Sequence, residues 1–141
     1  MNPSNTNVGG WRDCQMRTQT MPALKTMLPA EVQAGIRAVN KLTSAGNQNP
    51  SIVTTSDELF LLSEIEIFGS TTYSFAGEGL QYDYYKAGNS KVKNRAGSAY
   101  FWWERSSFSQ NTSDFCDVHR TGSAFWHGAY NRLCVAFSFC L

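Results

Sequence analysis

YFWWERS, residues 100–106, is the stretch of sequence that decides the fold. We predict a strand from Ser98 to Ser106, in which alternate side chains point to opposite faces and the two adjacent tryptophans pack on different sides. Tryptophans this close together usually build a core between a sheet and helices, which favours an α+β fold. Within such a strand, Glu104 and Arg105 are interpreted as structural hydrogen-bonding groups and not as catalytic groups.

The segment that follows, from Phe108 to Cys134, has no continuous hydrophobic period but is rich in aromatic side chains. Phe125 to Arg132 in particular fits neither the period of a strand nor that of a helix. Exposed aromatic side chains are poorly solvated, and a loop that carries them commonly binds something. We therefore predict a binding surface here. The alternative interpretation is that these aromatic side chains are ordinary core.

Two further strand patterns lie in the last third of the chain. Residues 115–119 and 123–125 flank the turn sequence RTG (120–122), which predicts a hairpin. VAFSFCL (135–141) predicts a closing strand with alternate apolar residues on one face. Because a chain that ends in an apolar strand is not a frayed tail, we expect the C-terminus to be tied into the fold.

The clearest helix signal upstream begins at Pro29, because proline suits the first helical position. Val32, Ile36 and Val39 then recur at helical spacing, and SAGN (44–47) would end the helix. The pattern predicts an amphipathic core helix that runs from Pro29 to the residues before Ser44.

The other predicted elements are shorter. SEIE (63–66) matches a capping box, which predicts a helix over Glu64 to Phe68 that ends at Gly69. The remaining predictions are helical turns at residues 21–28 and 82–86, a strand at 52–55, a buried apolar run at 59–62 and a core position for Trp11.

Composition and charge limit the function classes. A length of 141 residues suffices for one domain, and a net charge of +1 provides no electrostatic footprint for nucleic acid. No apolar run approaches the roughly 20 residues that span a bilayer, so membrane insertion is not expected either. The polar start MNPSNTN lacks a signal peptide. From this length and this polar start, we expect residues 1–141 to be a single domain from the C-terminal part of a longer protein.

The four cysteines and two histidines form no recognised metal or catalytic motif. No CxxC pair is present, and neither His119 nor His127 has the spacing of a metal motif. Cys116 and His119 would face opposite sides of a strand, so we predict no catalytic residue, no metal and no cofactor. Cys140 is interpreted as a buried free thiol, with a Cys116–Cys140 disulfide as the alternative.

Six segments together resemble the C-type-lectin-like variable proteins that retroelements diversify. They are WWERS (102–106), FCDV (115–118), GSA (122–124), VAFSFC (135–140), LFLLSEIEIFG (59–69) and GNSKVK (88–93). More narrowly, the chain is similar to the bacterial and phage surface-protein domain whose members carry a WWxRS segment and end near GVxFGFC. Cys134 and Ser138 stand where that pattern has glycines, and Ser107 stands where it often has proline.

The resemblance implies a C-type-lectin-like fold of the formylglycine-generating-enzyme branch, with short helices on small antiparallel sheets and long irregular loops. In that family an adenine-directed mutagenic reverse transcription rewrites chosen codons near the 3′ end of the gene. Carried over to this chain, the pattern implies a variable, ligand-binding surface made of Phe108, Gln110, Asp114, Asp117, His119, Arg120, Phe125, Trp126, His127, Tyr130, Arg132 and Leu133, with Gly128 as a further variable position.

The implied function is recognition without catalysis. The domain would sit on a phage tail tip or a bacterial cell surface, bind a host surface protein or glycan, and attach to a tail or surface oligomer through its N-terminal side. Two alternatives stay open. The first is a structural assembly module of a phage tail, and the second is a cysteine-dependent, formylglycine-generating-like enzyme that uses Cys134 and Cys140.

Overall fold

The structure is a computed structural model that describes residues 1–141. Its five short α-helices are α1 (Gly10–Asp13), α2 (Met21–Thr26), α3 (Ala30–Gly35), α4 (Glu64–Phe68) and α5 (Asp83–Lys86), and a π-helical segment (Met16–Thr20) leads into α2. Its seven strands are β1 (Val39–Gly46), β2 (Asn49–Asp57), β3 (Lys93–Arg95), β4 (Ser98–Tyr100), β5 (Trp102–Ser107), β6 (Asp114–Val118) and β7 (Ala124–Gly128). The predicted α+β class is confirmed. None of the helices has the length and apolar character needed to cross a membrane.

The strands form three small antiparallel sheets. β1 pairs with β2, β3 pairs with β4, and β5, β6 and β7 form a three-stranded sheet in that order. β7 is therefore an edge strand. The predicted hairpin at residues 115–125 is confirmed, and its turn is closed by a 2.8 Å hydrogen bond from the amide of His119 to the carbonyl of Ser123.

The predicted strand at Ser98 to Ser106 is broken at Phe101. Its first part is β4 and belongs to the sheet with β3, whereas its second part is β5 and belongs to the three-stranded sheet. Trp102 and Trp103 are both fully buried, which confirms that the pair belongs to the core. They join a single core that also contains Trp11, which confirms the core position predicted for that residue.

The long helix predicted from Pro29 is wrong beyond Gly35. α3 ends there, the backbone of Ile36 is extended, and the chain continues as β1, which pairs with β2 over most of its length. The hairpin turn between them places Asn47 and Gln48 at φ values of 55° and 57°. Cross-strand pairing therefore overrides the apolar spacing of residues 32–39. In the first half of β1 burial alternates as in a strand, with Lys41 and Thr43 buried and Leu42 exposed between them.

The capping box at the start of α4 is confirmed. The hydroxyl of Ser63 accepts a hydrogen bond from the amide of Glu66, and the Glu66 carboxylate accepts one from the amide of Ser63 at 3.0 Å. Gly69 ends the helix in the left-handed region, at a φ of 72°. The predicted turns at 21–28 and 82–86 appear as α2 and α5, and the strand predicted at 52–55 lies inside β2. The run at 59–62 is buried, without a regular element of its own.

The closing strand predicted at residues 135–141 is wrong as a regular element, although the C-terminal segment is tied into the fold. Its backbone forms two isolated bridges, one between Ser138 and Phe60 and one between Cys140 and Arg37. Cys140 is exposed, so its prediction as a buried thiol is also wrong. All four cysteines are free, and the alternative disulfide between Cys116 and Cys140 is not formed.

Arg105 is the centre of a buried polar network that joins several elements. Its guanidinium donates to both carboxylate oxygens of Glu66, at 2.5 and 3.1 Å, and Lys41 donates to the same carboxylate at 2.6 Å. Arg105 also donates to three backbone carbonyls, those of Leu42, Leu61 and Glu78. Burial alone would raise the pKa of Glu66, but Arg105 and Lys41 outweigh it and hold that pKa below its usual value. The interpretation of Arg105 as a structural hydrogen-bonding group is confirmed.

Glu104, the residue before Arg105, is also buried but lacks the hydrogen-bond partners that Arg105 has. It is fully buried and neither carboxylate oxygen has a hydrogen-bond partner, so its prediction as a structural hydrogen-bonding group is wrong. Burial raises its pKa well above the usual value of 4.5, and the nearby carboxylates of Glu64, Asp117 and Glu78 raise it further. The neutral acid is the form that this environment favours.

We expect the Glu104→Gln variant to be more stable than the wild type at neutral pH and equally stable near pH 4. Because the folded-state pKa of Glu104 is raised, the unfolded chain releases its proton first, and stability falls as the pH rises above 4.5. The difference should grow steadily with pH above 4.5, for as long as Glu104 stays protonated in the folded state and ionised in the unfolded chain. Urea unfolding between pH 4 and 8 measures it, with the exposed Glu58→Gln as control. Equal stability of wild type and Glu104→Gln across that range would contradict this account.

Candidate recognition surface

The edge strand β7 organises the candidate site. Its sequence is AFWHG, and all five residues are partly exposed. Phe125 lies opposite Asp117 of β6, and Trp126 lies opposite Cys116. Because successive residues of a strand point to opposite faces, Phe125 and His127 occupy one face of the sheet and Trp126 occupies the other.

A continuous row of aromatic rings surrounds this strand, and we call it the aromatic belt. Each ring lies within 6.3 Å, centroid to centroid, of at least one other ring in the row. Seven of the eight side chains are partly exposed. The belt consists of Tyr73, Tyr100, Phe101, Phe108, His119, Phe125, Trp126 and His127.

On one side of β7, the belt consists of two phenylalanines and two histidines. The ring of Phe101 meets the imidazoles of His119 and His127 edge-on, with centroids 4.7 and 4.9 Å apart. Phe125 lies 5.4 Å from His119 and 5.3 Å from His127. These four rings form one patch in which apolar faces alternate with ring nitrogens that can donate or accept hydrogen bonds.

On the other side, Trp126 is packed between two rings from distant segments. Phe108 stacks nearly parallel to it, with centroids 5.0 Å apart and an interplanar angle of 7°. Tyr73 lies 4.7 Å away at a tilted angle. Phe125 joins the two sides, because its ring stacks on that of Trp126 at 4.9 Å. The belt is therefore continuous around the edge of the sheet.

A buried carboxylate orients one ring of the belt. Nδ1 of His127 lies 2.6 Å from Oδ2 of Asp117, which is fully buried, whereas the imidazole is 26% exposed. Burial raises the pKa of Asp117, and the hydrogen bond from His127 opposes that rise. With Nδ1 engaged by the carboxylate, Nε2 is the ring nitrogen left to contact a ligand.

The loop that leads into the belt is held by Asn7 from the opposite end of the sequence. The buried amide of Asn7 donates to the carbonyls of Asn111 and Asp114, at 3.0 and 2.8 Å. Its backbone amide donates to Thr112 at 2.8 Å. This anchor was missed in the sequence, because a polar N-terminal segment gives no sign of which groups it will bond.

The family model for Domain of unknown function (DUF6273) matches residues 1–141. The chain belongs to this family. No curated protein and no solved structure matches it significantly.

In this DUF6273 domain the twelve predicted surface residues fall into three groups. Four are exposed, namely Gln110, Arg120, Tyr130 and Arg132. Six are partly buried, namely Asp114, His119, Phe125, Trp126, His127 and Leu133. Two are buried, namely Phe108 and Asp117, so they support Trp126 and His127 from below instead of facing a ligand. The prediction that residues 125–132 form a loop is wrong for the part that lies in β7.

Sequence reasoning missed three members of the belt. Tyr100 and Phe101 were assigned to a continuous core strand, but the break at Phe101 leaves both partly exposed. Tyr73 lies in a loop of serines, threonines and glycines, where a lone tyrosine is the signal that could have identified it. All three approach β7 only through tertiary packing.

Tyr130 and Arg132 lie outside the belt but border a hollow beside it. The hollow has a volume of about 460 Å³, and Trp103, Tyr130 and Leu133 are among the residues that line it. The N-terminal residues Met1 to Pro3 line it as well. A second hollow of about 520 Å³ lies between the π-helical segment and β2, and contains none of the predicted surface residues.

The cysteines of this DUF6273 domain are dispersed. The backbones of Cys134 and Cys140 bridge to different segments, at Trp102 and Arg37 respectively. Burial raises the pKa of the Cys14 thiol to about 11 and that of Cys116 well above its usual range, which disfavours the reactive thiolate at both positions. No group of three or more His, Cys, Asp or Glu side chains is arranged to hold a metal ion.

Proposed function

We propose that this DUF6273 domain is a non-enzymatic recognition domain of C-type-lectin-like fold whose surface positions are diversified by a retroelement. The observation that carries the proposal is the aromatic belt around the open edge of β7. Seven of its eight rings are partly exposed. A continuous row of aromatic rings that remain partly exposed is typical of a surface that binds a partner.

The buried interior of the domain, which we call the frame, makes its contacts independently of the candidate surface, and this separation supports the same proposal. The buried network of Arg105, Glu66 and Lys41 and the buried tryptophans make their contacts without Trp126 or Tyr130. Tyr130 is 58% exposed. Side chains that the frame does not need can be exchanged without loss of the fold, which is the property that a diversified surface requires.

The chemistry of the surface suits protein or glycan ligands. Aromatic side chains and arginine dominate the binding energy of most interfaces, because they bury large areas and still offer polar contacts. Phe125, Trp126 and Tyr130 would provide the buried area, and Arg132 and His119 would provide directional hydrogen bonds. The partner would be a host surface protein or glycan. The domain would be displayed in many copies on a phage tail tip or a bacterial cell surface, and the many copies would increase the overall avidity.

Attachment through the N-terminal side is part of the proposal, and the fold constrains its geometry. The amide of Asn2 donates to the carbonyl of Ala129 at 2.9 Å, so the N-terminal segment passes beside the end of β7. A carrier joined there would lie near the Gly128 end of β7 and away from Ala124 at its other end.

Sequencing the coding DNA of many sibling copies tests the proposed diversification. We expect sibling copies to differ only at nucleotides that are adenine in the template copy from which they are reverse-transcribed, within the codons of the surface positions, with Gln110, His119, Phe125, Trp126, Tyr130 and Arg132 among the most variable. Codons of the buried frame, such as those of Trp103 and Arg105, should be unchanged. Substitutions spread evenly over all four bases and over the frame codons would contradict the proposal.

A further inference from the structure

We propose that the outer edge of β7 binds an extended peptide segment of a protein ligand by β-strand addition. This inference rests on the proposed recognition function and adds the class of ligand, which is a polypeptide in extended conformation and not a glycan. The inference is based on the unpaired backbone groups of β7, and the rings of the belt would add side-chain contacts to the bound peptide.

The hydrogen-bond pattern of the hairpin shows which backbone groups of β7 face outward. In an antiparallel pair, residues that exchange backbone hydrogen bonds alternate with residues that do not. The amide of His119 donates to Ser123, and the amide of Ala129 donates to Ser113. These two bonds fix the alternation for the strand pair. Phe125 and His127 bond to β6, whereas the N–H and C=O groups of Ala124 and Trp126 point away from it.

The outward groups of Ala124 and Trp126 have no partner elsewhere. None of the backbone hydrogen bonds outside the regular elements involves either residue. The other edge of the same sheet is covered, because the amide of Cys134 donates to Phe101 and its carbonyl accepts from Trp103, both at 3.0 Å. The sheet thus has one closed edge and one open edge, and the open one lies inside the aromatic belt.

The sequence of β7 also lacks the usual protection of an edge strand. Natural edge strands commonly carry lysine, proline or a bulge that prevents another strand from pairing. AFWHG contains no lysine and no proline, and its register with β6 is regular. An unprotected edge with free backbone donors and acceptors is the arrangement used in β-strand addition.

The belt determines which peptide would fit. Alternate side chains of an added strand would meet the patch of Phe101, Phe125 and His127 on one face and the Trp126 ring on the other. An uncharged segment with apolar or aromatic side chains at alternate positions is therefore favoured. The added strand would be short, because the N-terminal segment already bonds to Ala129 at the end of β7.

The Ala124→Pro variant tests the backbone contribution. Proline removes an outward N–H group without breaking a hydrogen bond to β6, and the first residue of an edge strand tolerates it. The matched control Ala124→Val keeps that N–H group. The probes are a displayed library of random 12-residue peptides and a glycan array, both exposed to the full domain.

We expect the domain to capture peptides with alternating apolar residues. Ala124→Pro should weaken that binding about tenfold, as the loss of a backbone hydrogen bond implies, whereas Ala124→Val should leave it within about twofold. If Ala124→Pro fails to fold, N-methylation along the captured peptide replaces it, and binding should fall at every second residue.

Other outcomes overturn the inference. Capture of glycans without peptides would do so, and so would peptide binding that neither Ala124→Pro nor N-methylation weakens. If such binding were still lost in Trp126→Ala, the recognition function would stand and only strand addition would fail. If neither probe is captured, strand addition fails, and the recognition function is decided by the selection described at the end of the Discussion.

Discussion

Replacing Arg105 with methionine is expected to lower the free energy of unfolding by about 3–5 kcal/mol, which is a large part of the stability of a domain of this size. Arg105 has no exposed surface. Its loss would leave the Glu66 carboxylate buried with only Lys41 as a charged partner. It would also leave the backbone carbonyls of Leu42 and Leu61 without their side-chain donor, whereas the carbonyl of Glu78 would keep its 3.1 Å hydrogen bond from the hydroxyl of Ser63. A buried group that loses its partner costs its full desolvation energy.

Two matched variants separate charge from geometry in this prediction. Arg105→Lys keeps the positive charge, but a single ammonium cannot reach all the acceptors of the planar guanidinium, so we expect an intermediate loss. Arg12→Met removes an arginine whose ion pair with Asp13 is exposed, and its stability should be unchanged. Urea unfolding measures all three. A stability of Arg105→Met within about 1 kcal/mol of the wild type would contradict the role of Arg105 as the hub of the frame.

Local signals in the sequence predicted local structure well. The capping box at Ser63 and the turn around Gly122 depend on residues within a few positions of each other, and both are present in the structure. The helix predicted from Pro29 failed because its continuation depends on β2, which pairs with β1 across a turn with positive φ at Asn47. Apolar spacing alone cannot weigh that cross-strand pairing.

The candidate site was predictable only in part. The unusual aromatic content of residues 108–134 drew attention to five of the eight side chains of the belt, namely Phe108, His119, Phe125, Trp126 and His127. The sequence could not show that Phe108 would be buried beneath Trp126, nor that Tyr73 would approach the same ring from a distant loop. The open edge of β7 was equally hidden in the sequence. The segment that follows β7 bridges through Cys134 to Trp102 of β5, at the other edge of the sheet, and does not pair with β7.

Randomising surface positions together is expected to leave most variants folded, whereas randomising an equal number of frame positions should leave almost none. Exposed substitutions usually change stability by less than about 0.5 kcal/mol, and each truncation of a large buried side chain costs about 2–5 kcal/mol. The surface set consists of Gln110, His119, Arg120, Phe125, Trp126, His127, Tyr130 and Arg132. The frame set consists of Trp11, Leu61, Ile67, Trp102, Trp103, Arg105, Phe115 and Val118.

Protease resistance of the two displayed libraries measures this difference. Trp126 will carry the largest cost within the surface set, since its ring stacks on Phe108, and we expect Trp126→Ala to lose about 1–2 kcal/mol. Tyr130→Ala should lose almost nothing, because that side chain is mostly exposed. Equal folded fractions in the two libraries would show that frame and surface are not separate.

Selection of the surface library against a protein that the domain has never met tests the central claim most directly. Hen egg lysozyme is a suitable probe, and affinity is measured on purified binders. The account predicts folded variants that bind lysozyme with a Kd below about 1 µM, and none from the frame library. A surface library that folds but yields no binder, or whose binders attach through residues outside β7 and its belt, would contradict it.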